Sequence, residues 1–450
     1  MPDQLTADAV VSKPFQQQAP GPNLLNSYKA IYQLSQAAIP CFNHLHNTYG
    51  NLVRLDLGFR QIFISQDAEQ VSHVFKQNAD NYVKLPQLEQ QTKRLFGEGW
   101  TEPINRTMIS PFFKPKVYLK MFADAQSVIQ PMLKRWEGYA DSQQPFDVAQ
   151  EMMDLSLALT THVLIGHDFN QDSEDVPGAM MAIIDHWNRR SLSIVNVPET
   201  IPTPKNRKYL TAASAVQQSI DRLIERRQQS TSTVDLLSVL QNNSALSAQR
   251  VRERLLWIVL PAFEPIGRSL AWMWYLLSRH ADAAHRVQDE VAENLTGENL
   301  EVSQLQKLSY CKDVIQETLR LYPPFWLTGR EAIHDDTIGG FPIAAGSTVL
   351  ANIFGIHHHP AYWQRPEAFD PDRFSSANAA RRSSDAFIPF STGPRACLGY
   401  QLSIVVMQLV LSTVMRSFRL NLVPEQSIEP VAMMTLLPRH GIWVTASKHS

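Results

Sequence analysis

A cysteine in a glycine-rich loop is the residue of this sequence best suited to chemistry. Cys397 lies in the segment FIPFSTGPRACLGYQLS, residues 387 to 403, where a loop enters a helix predicted for 398–416. Backbone N–H groups at a helix N-terminus favour an anion, and therefore the thiolate form of this side chain. The thiolate is also the form of cysteine that binds a metal ion. The alternative is a structural cysteine in a glycine turn.

Four neighbours of this cysteine complete the pattern F-x-x-G-x-R-x-C-x-G: Phe390, Gly393, Arg395 and Gly399. The pattern resembles the haem-binding loop of the cytochrome P450 family. The resemblance implies that Cys397 is the axial ligand of haem b, where a thiolate favours O–O cleavage. It also implies that Arg395 binds a haem propionate and that Phe390 shields the sulfur from water. Glycine at 393 permits a turn at positive φ, and glycine at 399 permits close approach of the porphyrin.

A second motif is QETLRLYPP, residues 316 to 324, in which Glu317 and Arg320 share one helix face. Such pairs are common on protein surfaces and carry little information alone. In the P450 family the corresponding residues form an ion-paired triad with a second arginine beneath the haem. That second arginine corresponds to Arg373 in the segment PDRF, residues 371 to 374. A buried charged triad is costly unless every member is satisfied, which suits a rigid structural role.

The resemblance extends over almost the whole chain. In GREAIHDDTIGGF, residues 329 to 341, Arg330 matches a propionate-binding arginine. Many family members also carry W-x-x-x-R on a helix over one haem edge, and here that segment is GWTEPINRTMISPFF, residues 99 to 113. Aligned with the family pattern, Arg106 takes the position of the arginine, but Trp100 lies two residues before the position of the tryptophan. A helix start delayed by Pro103 would explain the shift.

The largest departure from the family is IVLPAFEPIGRSLAW, residues 258 to 272, in a long helix predicted for 249–279. A proline inside a helix costs about 3 kcal/mol, because it lacks an N–H and crowds the preceding turn. In the family this helix crosses the distal haem face and carries a threonine that steadies iron-bound oxygen and passes protons. That position is Pro265, which has no hydroxyl. The sequence therefore predicts a distorted helix. Because the two prolines have no N–H, the carbonyls of Trp257 and Pro261 lack their helical hydrogen bonds and can accept one from water or from a substrate hydroxyl.

The acidic position of the same pattern is Glu264, and Arg268 lies four residues along the helix. The two side chains can form a salt bridge on one helix face. The other interpretation gives Glu264 a role in substrate binding or proton relay. Glu264, Pro265 and Arg268 are accordingly the candidate catalytic residues, with both interpretations open.

The expected pocket is largely apolar or aromatic, which predicts an apolar or aromatic small-molecule substrate. Its walls are predicted from the 85–100 loop, the 180–200 segment, the distorted helix, Phe325 to Leu327 and Met433 to Leu436. The candidate pocket residues are Ala262, Phe325, Trp326, Leu327, Met434 and Thr435.

Three functions are compatible with these residues. The missing threonine favours oxidative coupling of phenols, which can donate protons themselves, as in bacterial biaryl-coupling P450s of secondary metabolism. The alternative is a conventional monooxygenase that hydroxylates or epoxidises, with water and Glu264 supplying protons. A non-catalytic P450-fold recruitment module is the third, although it has no chemical need of Cys397.

The charge and composition of the chain limit the classes of partner that it can bind. The chain has 450 residues and a net charge of −2, so no global basic field indicates nucleic acid. No membrane-spanning stretch or signal peptide is apparent, and three widely spaced cysteines favour a reducing compartment, which predicts a cytoplasmic protein. The family resemblance implies a monomer that receives electrons from a separate ferredoxin or flavodoxin with its reductase. The basic segments KPKVYLK, residues 114 to 120, and AARRSS, residues 379 to 384, are candidates for its docking site.

The elements predicted around these residues are mainly helical. Helices are expected at about 211–227, 249–279, 281–295, 303–321 and 398–416, and an apolar stripe ends before Gly166 after a capping box of Asp147 and Gln150. Alternating apolar residues around Gly58 predict a hairpin, and short strands recur near 338–349 and the C-terminus. Residues 1–22 are predicted to be a flexible leader and residues 23–450 a single haem domain. The predicted fold is the P450 fold, mainly α with a small β portion.

Overall fold

The computed structural model describes residues 17–97, 109–115, 125–167, 169, 175–192, 197–228, 235–244, 246–295, 297 and 302–449. The helices in these ranges are α1 Leu24–Gln36, α2 Ala38–Tyr49, α3 Ala68–Ser72, α4 Pro86–Phe96, α5 Ala125–Ser142, α6 Val148–Ile165, α7 Val176–Leu192, α8 Pro204–Gln228, α9 Leu236–Gln241, α10 Ala248–Arg279, α11 Ala281–Asn294, α12 Val302–Leu305, α13 Ser309–Leu321, α14 Ile353–His357, α15 Ser376–Ala379 and α16 Tyr400–Met415. The strands are β1 Leu52–Asp56, β2 Gln61–Ser65, β3 Tyr82–Val83, β4 Phe146–Asp147, β5 Leu327–Ala332, β6 Asp336–Ile338, β7 Phe341–Ile343, β8 Thr348–Asn352, β9 Phe418–Leu422, β10 Pro430–Ala432, β11 Leu436–Pro438 and β12 Trp443–Lys448. The mainly α fold with a small β portion is confirmed.

The predicted hairpin forms the edge of the larger sheet. Strands β1 and β2 pair antiparallel with Val53 opposite Ile64, and Gly58 in the connection has φ +81°. The sheet has the order β1-β2-β8-β5-β3, in which β2 and β8 are parallel. Strand β8 therefore joins the hairpin to β5, which pairs with β8 on one side and with β3 on the other.

The start of α6 differs from its prediction. Asp147 does cap the helix, since its Oδ1 accepts hydrogen bonds from the N–H groups of Ala149 and Ile442. Gln150 does not complete a capping box, because its side chain donates to Asp154 Oδ1 at 2.8 Å. Asp147 thus also ties the helix to the C-terminal segment. The helix ends at Gly166, whose φ of +60° is the left-handed conformation typical of a helix C-terminus.

The long helix α10 is the central element of the core. It spans 32 residues, is helical through both prolines, and packs along α6. Gly267 permits this contact, because a Cβ there would lie 2.6 Å from Met153 Sδ. The helix predicted for 303–321 is instead split into α12 and α13, separated by a turn in which the Lys307 N–H donates to the Gln304 carbonyl.

Residues 17–22, the end of the predicted leader, pack against β1. Ala19 is 3% exposed, and the Arg54 N–H donates to the Pro20 carbonyl at 2.8 Å. The rest of the leader, residues 1–16, lies outside the described ranges, and the division into leader and single domain stays a prediction. Within the described ranges no helix has the length and apolarity to cross a bilayer.

Candidate active site

A cavity of about 1090 Å³ lies between α10, the turn before β5 and the Cys397 loop. Its wall is predominantly apolar and includes Ile109, Phe113, Val163, Pro265, Ile266 and Phe325. Cys397 is exposed and lines this cavity. An apolar chamber with a thiol in its wall suits a large, flat, mostly apolar group with room for a ligand beside it.

The Cys397 loop is shaped by its glycines. Gly393 has φ +77°, and a Cβ at this position would lie 1.8 Å from the Phe75 carbonyl oxygen, so no other residue fits. The loop then returns so that the Cys397 N–H donates to the Phe390 carbonyl at 3.0 Å. Phe390 also lines the cavity and meets Tyr400 edge-on at 4.7 Å between ring centroids.

Gly399 leaves a space that the protein does not fill. Its φ of −84° is open to any residue, and a Cβ there would meet only ordinary contacts, with Phe113 at 3.7 Å and Cys397 Sγ at 3.8 Å. Protein packing therefore gives no reason for glycine at this position. A bound group lying against the backbone beside Cys397 does.

Two arginines near the cavity have no acidic partner among the residues that the structure describes. Arg395 lines the cavity and donates to the Tyr82 carbonyl at 2.7 Å, while Arg330 is 9% exposed and stacks over the Phe75 ring. No carboxylate of the described ranges forms an ion pair with either of them. Burial, followed by the nearby positive charge of Arg395, lowers the pKa of Arg330 to about 10. A buried guanidinium without a counterion suits an anionic group of a ligand.

These features fit haem. The thiol, the space at Gly399 and the arginine pair provide an axial ligand, room for a flat ring and a site for carboxylates, as the sequence resemblance implies. The cavity volume would then be shared between the haem and a substrate.

The Glu317 triad is brought together as expected. Arg320 donates from Nε and Nη2 to the two Glu317 oxygens at 2.7 and 2.8 Å, and Arg373 Nε donates to Oε1 at 3.0 Å. Arg320 also donates to the carbonyls of His357, Pro366 and Ala368. Glu317 and Arg320 are both fully buried. A buried pair with this many hydrogen bonds is suited to holding the loops beneath α13 in place.

Helix α10 presents its prolines to the cavity. Pro261, Ala262 and Pro265 all line it, together with Ile266 and Ser269. The Ser269 hydroxyl donates to the Pro265 carbonyl at 2.8 Å within the helix. The face where the family carries its threonine is therefore apolar, apart from this serine and the backbone.

Glu264 points away from that face. Its side chain is 4% exposed and accepts a hydrogen bond from Thr435 Oγ1 at 2.6 Å, with Arg268 Nε at 3.6 Å. Burial raises the pKa of Glu264, opposed by Arg268 and by the hydrogen bond from Thr435. Of the two interpretations of this acid, the geometry favours the salt bridge.

The other candidate pocket residues divide into two groups. Ala262 and Phe325 line the cavity, whereas Trp326 is buried with its indole N–H on the Met433 carbonyl, and Leu327 begins β5. Met434 and Thr435 are not among the described residues that line the cavity. Trp100, Arg106 and Lys116 lie outside the described residues.

Some wall residues were not predicted. Thr160, Val163 and Leu164 of α6 line the cavity. Trp257 also lines it, and it belongs to α10, which was predicted as part of the wall. The apolar stripe of α6 predicted that this face of the helix is buried, but it did not predict which part of the protein the face lies against. The 180–200 segment contributes no residue to the wall among those described, while Glu89 of the 85–100 segment does.

Comparisons with known proteins agree over most of the chain. The family model described as Cytochrome P450 matches residues 19–445. Cyclooctatin synthase of Streptomyces melanosporofaciens is 26% identical over 403 residues, covering 86% of this chain and 87% of that protein. Cyclooctat-9-en-7-ol 5-monooxygenase of the same organism is 27% identical over 391 residues, covering 84% of each chain. The crystal structure of the cytochrome P450DA heme domain is similar with a TM-score of 0.86 and 22% identity, covering 97% of this chain and 98% of that chain.

Proposed function

Because this chain belongs to the cytochrome P450 family, we propose that it inserts oxygen into a small, mainly hydrocarbon molecule. Haem b is its cofactor, and it is an oxidoreductase of the monooxygenase type. The observation that carries the proposal is the apolar wall of the cavity facing Cys397, including Pro265, Ile266 and Phe325. An apolar substrate is bound there by burial of its surface.

The names of two relatives support this substrate class. Cyclooctat-9-en-7-ol 5-monooxygenase is named for an unsaturated alcohol, and cyclooctatin synthase for cyclooctatin. For this chain we infer a substrate of similar character, in bacterial secondary metabolism. Its body would contact the apolar wall, with few polar groups to fix its orientation.

Each residue of the site receives a role under this proposal. Cys397 would ligate the haem iron, and haem held there would supply the activation of dioxygen, with electrons from a separate protein. Arg330 and Arg395 hold the propionates, with Arg106 and Trp100 assigned to them by resemblance. Phe390 covers the sulfur, and the Glu317–Arg320–Arg373 triad keeps the loops beneath the haem rigid.

Proton supply cannot use a hydroxyl at position 265. Pro265 offers no donor and cannot bond the Pro261 carbonyl, which is therefore available to accept a hydrogen bond from water in the cavity. Water held at this carbonyl oxygen would supply protons without a side-chain relay. Glu264 takes no direct part, because it faces Thr435 and Arg268.

Oxidative phenol or biaryl coupling is the second candidate, and Pro265 is the observation that favours it. In coupling, each of two phenol rings loses a hydrogen and the rings join. One dioxygen takes up these two hydrogens, two electrons from the donor protein and two protons from solvent, and forms two water molecules. A phenol has a weak O–H bond and carries its own proton, so the missing hydroxyl matters less. Oxygen insertion instead leaves one oxygen atom in the product.

Labelled dioxygen separates these functions. We would compare wild type with Pro265→Thr, which restores both N–H and hydroxyl, and with Pro265→Ala, which restores only the N–H. Substrates would be a panel of alicyclic alkenols and phenols. Incorporation of labelled oxygen by wild type supports monooxygenation. Unlabelled dimers from wild type, with hydroxylation only in Pro265→Thr, would support coupling instead.

Haem ligation is tested independently of substrate. Reduced, carbon monoxide-treated wild type should show the thiolate-type absorption band, and Cys397→Ser should lose it while retaining the fold by circular dichroism. Haem-loaded wild type without this band would reject both enzymatic functions and leave the non-catalytic recruitment module.

A further inference from the structure

A buried carboxylate connects two walls of the cavity. Glu264 lies in the turn of α10 that presents Pro261 and Pro265 to the cavity, but its own side chain points into the interior. There its Oε1 accepts a hydrogen bond of 2.6 Å from Thr435 Oγ1, and both residues are at most 4% exposed. Arg268 Nε lies 3.6 Å away and partly neutralises the charge.

The Thr435 end of this bond belongs to the Met433–Leu436 segment, which braces the opposite wall. The Leu436 N–H donates to the Pro324 carbonyl at 2.9 Å, and the Trp326 indole N–H donates to the Met433 carbonyl at 2.7 Å. Pro324 and Phe325 line the cavity. The wall that carries Phe325 is therefore bonded on both sides to the segment that Glu264 holds.

Two further hydrogen bonds fix the same segment. The Met434 N–H donates to Asn188 Oδ1 of α7 at 3.0 Å, and the Trp272 indole N–H donates to the Leu436 carbonyl at 3.0 Å. Trp272 lies two turns after Glu264 on α10, so the segment is attached to this helix at two points. Apolar packing alone would allow small sliding between these elements, whereas directed bonds specify one arrangement.

We propose that Glu264 is a positioning residue whose bond to Thr435 sets the spacing between the α10 wall and the Phe325 wall, and thereby the size of ligand that the cavity accepts. A carboxylate buried at this depth is costly, and its retention suits a role in fixing a unique geometry. The proposal rests on haem being bound in this cavity. It assigns selectivity to residues that do not touch the ligand.

Azole ligands of two sizes test the proposal without knowledge of the substrate. Imidazole needs little space beside the iron, whereas 4-phenylimidazole also needs room for its phenyl ring, and both change the haem spectrum when they bind. The variants are Thr435→Val, which removes the hydroxyl at nearly constant shape, and Thr435→Ser, which keeps it. Thr161→Val is the matched control, because the partners of its buried hydroxyl in the described part of the chain are carbonyls of its own helix.

Thr435→Val is expected to change the ratio of the two dissociation constants by about tenfold, the effect of a coupling energy of about 1.4 kcal/mol. Thr435→Ser and Thr161→Val should stay within about twofold of wild type. An unchanged ratio in haem-loaded Thr435→Val, or a Ser variant that behaves like the Val variant, would overturn the proposal. If Thr435→Val does not fold, Thr435→Ala, which adds no bulk, is measured against the same criteria. Wild type that binds neither azole and shows no thiolate-type band would instead reject the proposed function.

Discussion

At the scale of single residues, two glycines of the Cys397 loop have different reasons for being glycine. Gly393 is needed by the protein itself, because its φ is +77° and a Cβ would meet the Phe75 carbonyl. Gly393→Ala should therefore lower the free energy of unfolding of the haem-free protein by about 3 kcal/mol or more. Urea unfolding of the haem-free protein measures this.

Gly399→Ala is the matched comparison. Apart from its two chain neighbours, no atom of the described residues lies closer than 3.7 Å to the site of its Cβ, so the haem-free stability should stay within about 0.5 kcal/mol of wild type. Haem retention should nevertheless fall, because the added methyl group would overlap sterically with the bound porphyrin. Full haem retention by Gly399→Ala would show that the space has another purpose.

Arg330 carries a positive charge that no carboxylate in the described part of the chain neutralises. Replacing it by Met removes a buried, unpaired guanidinium whose pKa is lowered by burial to about 10. The haem-free protein should therefore become more stable, by about 1–3 kcal/mol, while haem is lost about tenfold faster. Chemical unfolding and transfer of haem to apomyoglobin give the two readouts.

Arg286→Met serves as the control for this prediction. Arg286 is exposed and bonds both oxygens of Asp372, so its removal should not stabilise the protein and should leave haem retention unchanged. Lower stability of haem-free Arg330→Met would indicate that this arginine already has a favourable partner in the protein.

The residues near Cys397 could be predicted because their chemistry is encoded by local spacing. The partner of Glu264 could not, since Thr435 lies 171 positions further along the chain and nothing in its neighbourhood indicates an acid. Arg268 was found because four positions on a helix fix a distance. Local spacing was therefore sufficient to predict the Cys397 loop and the Glu264–Arg268 pair. The contact with Thr435 depends on long-range packing, which local spacing does not reveal.

At the scale of elements, α10 remains helical through two prolines. Pro261→Ala restores an N–H and relieves crowding in the preceding turn, which should raise the free energy of unfolding by about 1–3 kcal/mol. Thermal or urea unfolding of the holoprotein tests this. Lower stability than wild type would show that the surrounding side chains are packed to a helix bent by proline.

Element boundaries were predicted where a chemical signal marks them. Gly166 ends α6 in the left-handed conformation, and the prolines did not prevent α10 from reaching Arg279. The capping box failed because Gln150 found Asp154 on its own helix. The break between α12 and α13 carries neither glycine nor proline, so periodicity alone could not reveal it.

At the scale of the whole molecule, a net charge of −2 leaves electron-donor docking to local patches. Lys114 is exposed and follows Phe113, whose ring lies 3.7 Å from the site of a Gly399 Cβ, so the basic segment begins close to the Cys397 loop. An acidic ferredoxin or flavodoxin that docks here would bring its electron close to the thiolate side of the haem. The patch remains a proposal, and its further lysine, Lys116, is assigned from sequence only.

Charge reversal at the surface tests this docking site. Lys114→Glu should slow reduction of the haem by an acidic ferredoxin about tenfold at low salt, and the difference should shrink at high ionic strength, because salt screens exposed charges. Stopped-flow reduction under carbon monoxide gives the rate. Lys29→Glu on α1 carries the same change in net charge at an exposed site and should have little effect. Equal slowing by both variants would mean that total charge, rather than a patch beside the Cys397 loop, governs the encounter.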